Sequence, residues 1–411
     1  MNCDTIVLGA GIIGVCTALH LQARGQRVSL VDIKAPGEGT SFGNAGLIER
    51  SSVVPYAFPR EFWRLLRYGL NRQSDVRYSP RHLPQAVPWL LSYWRHSAPE
   101  PLAAAARAMR PLIERCVLEH DALVEQAGLG HLIRADGWIE IFRCPRALQR
   151  ARQEARARSV YGLHFELLDA AQLRAREPGL SEAVCGGVHW LDPKTVRDPG
   201  SLVKGYAALF ASRGGQVLEG DARSLQATSP GWQVMTAQGA LSAAQAVIAL
   251  GPESDALLRP LGYRIPLGIK RGYHMHYAAA RELRHALCDS RGGYVLAPMD
   301  RGIRLTTGIE FAAADAPANE IQLRRAEALA RRLFPLGERL DAQPWLGRRP
   351  CLPDMLPVMG PAPRHPGLWF NFGHAHHGLT LGPVSGRLLA ELITGERPFT
   401  DPAPYGAERF A

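Results

Sequence analysis

The sequence predicts an α/β protein in which a Rossmann-like domain, built on a parallel sheet, is interrupted by an inserted α+β domain containing an antiparallel sheet. Three stretches carry that prediction. Near the start, Ile6-Val7-Leu8 runs into Gly9-Ala10-Gly11-Ile12-Ile13-Gly14, and Val28-Ser29-Leu30-Val31 ends on Asp32. In the middle, the apolar run Ala246-Val247-Ile248-Ala249-Leu250 closes on Gly251. Near the end, Leu368-Trp369-Phe370-Asn371 leads through a glycine- and histidine-rich loop into a helix expected to start at Gly382 or Pro383 and to run to Thr394. Nucleotide-domain sequence at the start, the middle and the end places the remaining segments between its parts.

The first stretch reads as strand, tight turn, helix and second strand. Gly9 permits the turn, Gly11 lets the backbone approach a pyrophosphate, Gly14 lets helix pack on strand, and the helix N-terminus favours phosphate charge. Ile12 and Ile13 fall in the first turn of that helix, and Asp32, Ile33 and Lys34 fall where ribose hydroxyls would be met. These residues are therefore dinucleotide-binding candidates. A carboxylate at position 32 repels a 2′-phosphate, which disfavours NADP and leaves FAD or NAD.

Downstream, Gly37 to Gly46 is a polar, glycine-rich loop, followed by a helical region punctuated by Pro55, Pro59, Pro80, Pro84 and Pro88. Trp63, Trp89 and Trp94 there fall at helical spacing, which reads as packing between short helices. Pro101 to Gln126 reads as one long helix, Trp138 to Phe142 as a short strand, and Pro145 to Val160 as a charged, solvated helix. A helix from Ser201 through Ser212 is followed by strands at 216–218 and 232–236. Strands at 268–277, 293–298 and 303–310 build the antiparallel sheet, and a charged helix follows from Glu320 to Phe334.

The 411 residues carry a net charge of +10 and 46% hydrophobic residues, enough to fill two or three domain cores. The positive charge is dispersed and mostly arginine, with Lys34, Lys194, Lys204 and Lys270 the only lysines. Without a basic cluster interleaved with aromatics, nucleic-acid binding is not expected, whereas peripheral contact with an anionic membrane stays open. No apolar run is long enough to span a membrane, and the first strand begins at once, so a cytoplasmic protein is expected. The seven cysteines are scattered and never form C-x-x-C, which argues against a disulfide framework or a zinc site.

Taken together, the G-x-G-x-x-G turn, Thr40-Ser41-Phe42-Gly43-Asn44-Ala45-Gly46, Gly347-Arg348-Arg349-Pro350, Pro353-Asp354 and the terminal Gly373-His374-Ala375-His376-His377-Gly378-Leu379-Thr380 resemble, in order, the D-amino-acid oxidase, D-amino-acid dehydrogenase and glycine oxidase superfamily of FAD enzymes. The resemblance covers nearly the whole chain and implies FAD rather than NAD. It places Thr40, Ser41, Asn44, Ala45, Gly46 and Leu47 beside the flavin ring. Gly373, Gly378, Leu379 and Thr380 would meet the ring at a helix N-terminus, and Ala222 and Gly251 complete the cofactor candidates. Gly43 and Gly347 stand where some relatives carry the histidine and cysteine that bond flavin covalently, which implies noncovalent FAD.

For the substrate, the resemblance implies Arg349 as the carboxylate-binding arginine, with Tyr294 as its partner and His376 as a further contact. Tyr273, next to His274, lies on a strand that borders the pocket in relatives. His374 supports the loop. The three histidines have no carboxylate or cysteine at ligand spacing, so no metal is expected. The implied chemistry is hydride transfer from Cα to flavin N5, governed by orientation and electrostatics, with no obligatory acid or base. The substrate is a small amino or imino acid, and the tail resembles that of D-amino-acid dehydrogenases acting on cis-4-hydroxy-D-proline. The acceptor is left open between oxygen, a quinone and a membrane-borne respiratory acceptor. Competing readings are a glycine or sarcosine oxidase, an NAD enzyme, and a non-catalytic flavin-binding subunit. The expected FAD-binding domain is 1–50, 145–225, 240–260 and 335–411, and the substrate-binding domain is 51–144 and 261–334.

Overall fold

The computed structural model describes residues 2–410. Apolar strands joined by the largely buried helix Ile12–Gln22 open a sheet of eight strands. Its parallel core runs Gln216–Glu219, Val28–Asp32, Asn2–Leu8, Gly239–Ile248 and Leu368–Phe372. Leu8 pairs with Ile248 and with Val31, so the ends of three strands from distant parts of the chain arrive together at one edge. The apolar run at 246–250 is the end of the longer strand Gly239–Ile248. Val7, Leu30 and Val247 pack on one side of the sheet, while Ile6, Leu8 and Ile248 pack on the other, as expected of buried parallel strands.

The helix Ile12–Gln22 covers one side of this sheet and packs on the last helix, Gly378–Ile393. That contact depends on two missing side chains. A Cβ on Gly382 would stand 2.6 Å from the Ile12 side chain, and one on Gly386 would stand 2.7 Å from the Cys16 backbone. The last helix begins at Gly378, a turn before the expected start, because its first turn is held by the chain at 47–49 despite two glycines and Pro383.

The second sheet has eleven strands with Gly268–Ala279 at its centre. That strand pairs antiparallel with Gly302–Thr307 and Ile309–Phe311 along one edge and with Trp345–Cys351 and Leu336–Arg339 along the other. The single strand expected over 303–310 is broken at Gly308, where Asp75 presses against the backbone: a Cβ there would lie 2.0 Å from the Asp75 carbonyl. Strands Phe165–Asp169, Gly186–Trp190, Leu336–Arg339 and Trp345–Cys351 all bond into this sheet. Sheet membership therefore cuts across the boundaries expected at 145 and 335, because strand pairing joins segments that composition does not separate.

The long helix spans Pro99–Ala127, and the proline-rich region before it folds into helices Phe62–Gly69 and Leu83–His96. Trp89 packs into the second sheet, its indole N–H donating to the Pro266 carbonyl at 3.0 Å. Trp63 departs from the packing expectation: it is 77% exposed. All seven cysteines are free thiols.

Candidate functional site

The glycine turn is dictated by close approach. Gly9 has φ +109°, and a Cβ there would lie 2.5 Å from the Ala249 carbonyl oxygen. Gly14 sits directly over the turn, where a Cβ would lie 1.8 Å from the Gly9 carbonyl. The helix N-terminus thus opens at the C-terminal edge of the parallel sheet, with Gly11 as its N-cap. Ile12 N–H donates to Ser41 Oγ at 3.0 Å, which joins the first motif to the 40–46 loop. Asp32 accepts from Ala10 N–H at 2.6 Å and from Lys34 N–H at 2.9 Å, so its carboxylate is oriented before any ligand arrives.

The 40–46 loop is fixed from the other domain. Arg304 donates to the carbonyls of Asn44, at 2.6 Å, and Phe42, at 3.1 Å. Thr40 Oγ1 donates to the Arg348 carbonyl, and Asn44 Oδ1 accepts from Gly46 N–H. Opposite, the first turn of the last helix is held by His120, whose Nε2 lies 2.7 Å from the Leu379 carbonyl.

These pieces line one cavity of about 800 Å³ that extends between the two large sheets. Gly9, Gly11, Ile12, Ile13, Asp32, Ile33, Lys34, Thr40, Ser41, Asn44, Ala45, Leu47, Ala222, Gly251, Gly373, Gly378 and Leu379 all line it. Three cofactor candidates stand behind the wall instead. Gly14 packs against the turn, and a Cβ on Gly46 would meet the Val196 carbonyl at 2.3 Å. Thr380 is buried, with Oγ1 accepting from Glu49 N–H and donating to the Leu47 carbonyl. Gly43 and Gly347 both face the Trp345 indole, which stands where a Cβ on either would lie, at 1.8 and 2.3 Å. The glycine cradle, the preset Asp32 and the helix N-termini fit an FAD. At Gly43 and Gly347, where the resemblance would put covalent attachment, the Trp345 ring stands over bare backbone.

At the far end, Arg349 and Lys270 are cross-strand partners, and both line the cavity. Arg349 donates to the main-chain carbonyls of Gly308, at 2.9 Å, and Thr307, at 3.2 Å. Among the described residues no carboxylate pairs with it. Lys270 is only 3% exposed and has no carboxylate partner either: its Nζ lies 3.5 Å from Met355 Sδ and 3.9 Å from the Tyr93 ring centroid. Burial lowers the pKa of both cations, and each also feels Cys351, whose thiol burial pushes up. Lys270 was not singled out from sequence. Its signal was the strand alternation that puts Gly268, Lys270, Gly272 and His274 on one face.

The same alternation sets the facing of the two tyrosines. Tyr273 and Tyr294 border the cavity, but their rings are almost wholly buried in the core cluster that includes Leu323 and Ala326 of the helix Ile321–Ala330. The Tyr273 hydroxyl donates to Glu310 at 2.6 Å and accepts from Arg271 at 3.0 Å. Tyr294 O–H makes no hydrogen bond within 3.5 Å, and burial with the nearby Asp289 raises its pKa. By register both lie on the opposite face of the sheet from Lys270 and Arg349. Both support the sheet from behind.

His376 lines the cavity with its Nε2 unpartnered, its ring 4.9 Å from that of Tyr56. Burial, with His377, Arg349 and Lys270 nearby, holds its pKa well below the usual range, so the imidazole is neutral. His374 Nε2 lies 3.0 Å from Ser385 Oγ. Folding also brings in a carboxylate that sequence spacing did not suggest: ligand atoms of Glu49, His376 and His377 lie within 4.8 Å of one another.

Comparison with known proteins follows the same line. The family model described as "DAO: FAD dependent oxidoreductase" matches residues 4–392. The chain is 30% identical over 419 residues to a D-amino-acid oxidase of Bradyrhizobium diazoefficiens, covering 98% of each. It is 32% identical over 427 residues to a D-amino acid dehydrogenase of Cereibacter sphaeroides, covering 99% of this chain and 95% of the relative. Among solved structures, glycine oxidase from Geobacillus kaustophilus superposes with a TM-score of 0.74 at 22% identity, over 100% of this chain and 99% of that one.

Proposed function

The chain belongs to the DAO family of FAD-dependent oxidoreductases, and from that premise we propose that it dehydrogenates a D-amino or cyclic imino acid at the carbon next to nitrogen. Its activity is of the D-amino-acid oxidase/dehydrogenase type. The observation that carries the substrate reading is Arg349: a guanidinium on the cavity wall, braced by two carbonyls, with no carboxylate of the protein paired to it. A planar fork so placed suits bidentate pairing with a substrate carboxylate.

FAD, when bound, would supply the acceptor for the hydride that leaves the substrate carbon with its electron pair as the C=N bond forms and the nitrogen gives up a proton. The protein orients and excludes. Arg349 fixes the carboxylate, and the neutral His376 offers a wall that does not compete for it. Arg349 and Lys270 together disfavour a substrate ammonium and so favour the neutral amine. We place cis-4-hydroxy-D-proline first among substrates, because Lys270 provides a buried donor for a second substrate oxygen beside Arg349. Cyclic substrates would leave as pyrroline carboxylates, and primary amines as imino acids that hydrolyse to keto acids.

An anaerobic screen of D-amino acids, D-proline, cis-4-hydroxy-D-proline, glycine and sarcosine for bleaching of the bound flavin tests this reading. Bleaching by the D-amino or cyclic imino acids is expected. Bleaching by glycine and sarcosine alone, with rapid reoxidation in air, would instead give an amine oxidase, and no bleaching by any would give a flavin-binding subunit.

A further inference from the structure

The helix Phe62–Gly69 buries none of its residues. Phe62, Trp63, Leu66 and the capping Leu70 are 68, 77, 51 and 61% exposed. At the α-helical repeat they fall within one arc of about 100°. A surface helix ordinarily turns such an arc into the core. Here it points outward. Leu91 and Trp94 of the helix Leu83–His96 are exposed as well, and Arg60, just before Phe62–Gly69, reaches that helix: its guanidinium stacks 4.2 Å from the Trp94 ring and donates to the Trp94 carbonyl at 2.7 Å.

Arg60, Arg64, Arg67 and Arg72 are exposed along the same segment, against a single acidic residue, Glu61. An apolar arc edged by tryptophan and flanked by guanidiniums is the composition that settles at the boundary between lipid headgroups and acyl chains. We propose that Phe62–Gly69 docks the protein on an anionic bilayer, with Phe62, Trp63, Leu66 and Leu70 in the acyl boundary and the arginines on headgroup phosphates. Charge selects this occupant over a protein surface. A hydrophobic partner would have no use for four cations around the contact, whereas each basic residue near an anionic leaflet is attracted to its headgroups. Arg64 and Tyr56 also line the cavity, so docking sets the mouth of the active site against the lipid. An acceptor dissolved in the bilayer would then meet the site without crossing water.

The test uses the FAD-loaded protein with vesicles of phosphatidylcholine alone and of phosphatidylcholine with phosphatidylglycerol. Flotation and a blue shift of tryptophan emission are expected with the anionic vesicles and should weaken with added salt. Trp63→Glu and Leu66→Glu replace exposed side chains, and each should weaken vesicle binding roughly tenfold or more at unchanged flavin content. Absence of binding to the anionic vesicles, or equal binding by both variants, overturns the proposal. So does concentration-dependent dimerisation that the same variants abolish, since a second copy would then cover the arc.

Discussion

The guanidinium of Arg349 lies across the bare backbone of Gly272, so close that a Cβ on Gly272 would stand 2.6 Å from both terminal nitrogens. Gly272 is on the central strand, and Arg349 reaches over it from Trp345–Cys351 to the carbonyls of Thr307 and Gly308 on the far side. The Lys270-Arg271-Gly272 stretch therefore contributes its missing side chain as much as its lysine. In Gly272→Ala the new methyl meets the far end of a flexible side chain, so the strand survives and the guanidinium moves. Losing one or two of its bonds costs about 1–3 kcal/mol, which should raise KM for the amino-acid substrate roughly tenfold or more. Flavin content and Tm should stay close to the parent. An unchanged KM would separate Arg349 from substrate binding.

Removing the cation is the stronger perturbation. Arg349→Leu leaves the substrate carboxylate beside Lys270, its cross-strand partner, which is buried against Tyr93 and Met355. Losing one partner of a desolvated ion pair costs about 2–5 kcal/mol, so kcat/KM for flavin reduction should fall roughly thirtyfold to several thousandfold. Rapid-reaction reduction of the bound flavin measures this, and normal affinity for an amino-acid substrate in the variant would contradict the assignment.

The flavin should come free on acid precipitation. Glycines, Gly43 and Gly347, occupy the positions where the resemblance would put an attaching side chain, and the Trp345 indole stands against both. Two thiols stand on the cavity wall, Cys288 and Cys351, and burial raises the pKa of both, the opposite of an activated nucleophile. Yellow supernatant and colourless pellet are expected. A pellet that keeps the flavin would show a bond formed elsewhere on the wall.

Much of this was legible before folding, and the residues that were not share a cause. The glycine turn, Asp32, the 40–46 loop and the terminal helix are local motifs, and all bear on one cavity. Facing is another matter. Tyr273 and Tyr294 are the right residue types near the right place, yet the pleat turns their rings into the core, while Lys270, three residues before Tyr273, faces Arg349. A one-residue change in alternation moves a side chain to the other side of a sheet, and a broken strand such as the one at Gly308 hides the register from sequence. Glu49 beside His376 and His377 was invisible for a different reason: more than 300 residues separate them in the chain, as their numbering shows.

Stability should fall steeply on mild acidification. His120, His274, His374 and His377 are buried, and desolvation lowers their pKa values to about 4, about 3, about 3 and about 4, from 6.5. In the unfolded chain each would take up a proton near 6.5, so between about pH 6 and 4 the unfolded state binds more protons. Stability is then complete above about pH 7 and is lost as pH falls toward the folded values, at up to about 1.4 kcal/mol per pH unit for each imidazole. Thermal unfolding of the holoenzyme should show Tm dropping by several degrees or more from pH 7 to pH 5. A Tm flat over that interval would mean that these rings are not held neutral.

Lys270 gives the sharpest test of substrate identity. It is a buried cation with a sulfur and an aromatic ring for company, and such a group discriminates by what it is left without. If its Nζ donates to the 4-hydroxyl of cis-4-hydroxy-D-proline, D-proline leaves that donor unsatisfied, and sites of this kind reject the bare analogue by far more than a methylene is worth. The ratio of kcat/KM for the two substrates should then be large, roughly a hundredfold or more. Lys270→Met fills the same space beside Met355 without a donor, so the ratio should collapse toward one. Were both substrates instead weakened equally by the substitution, Lys270 would be sharing the α-carboxylate with Arg349, and the preference for a hydroxylated ring would have to come from another wall of the cavity.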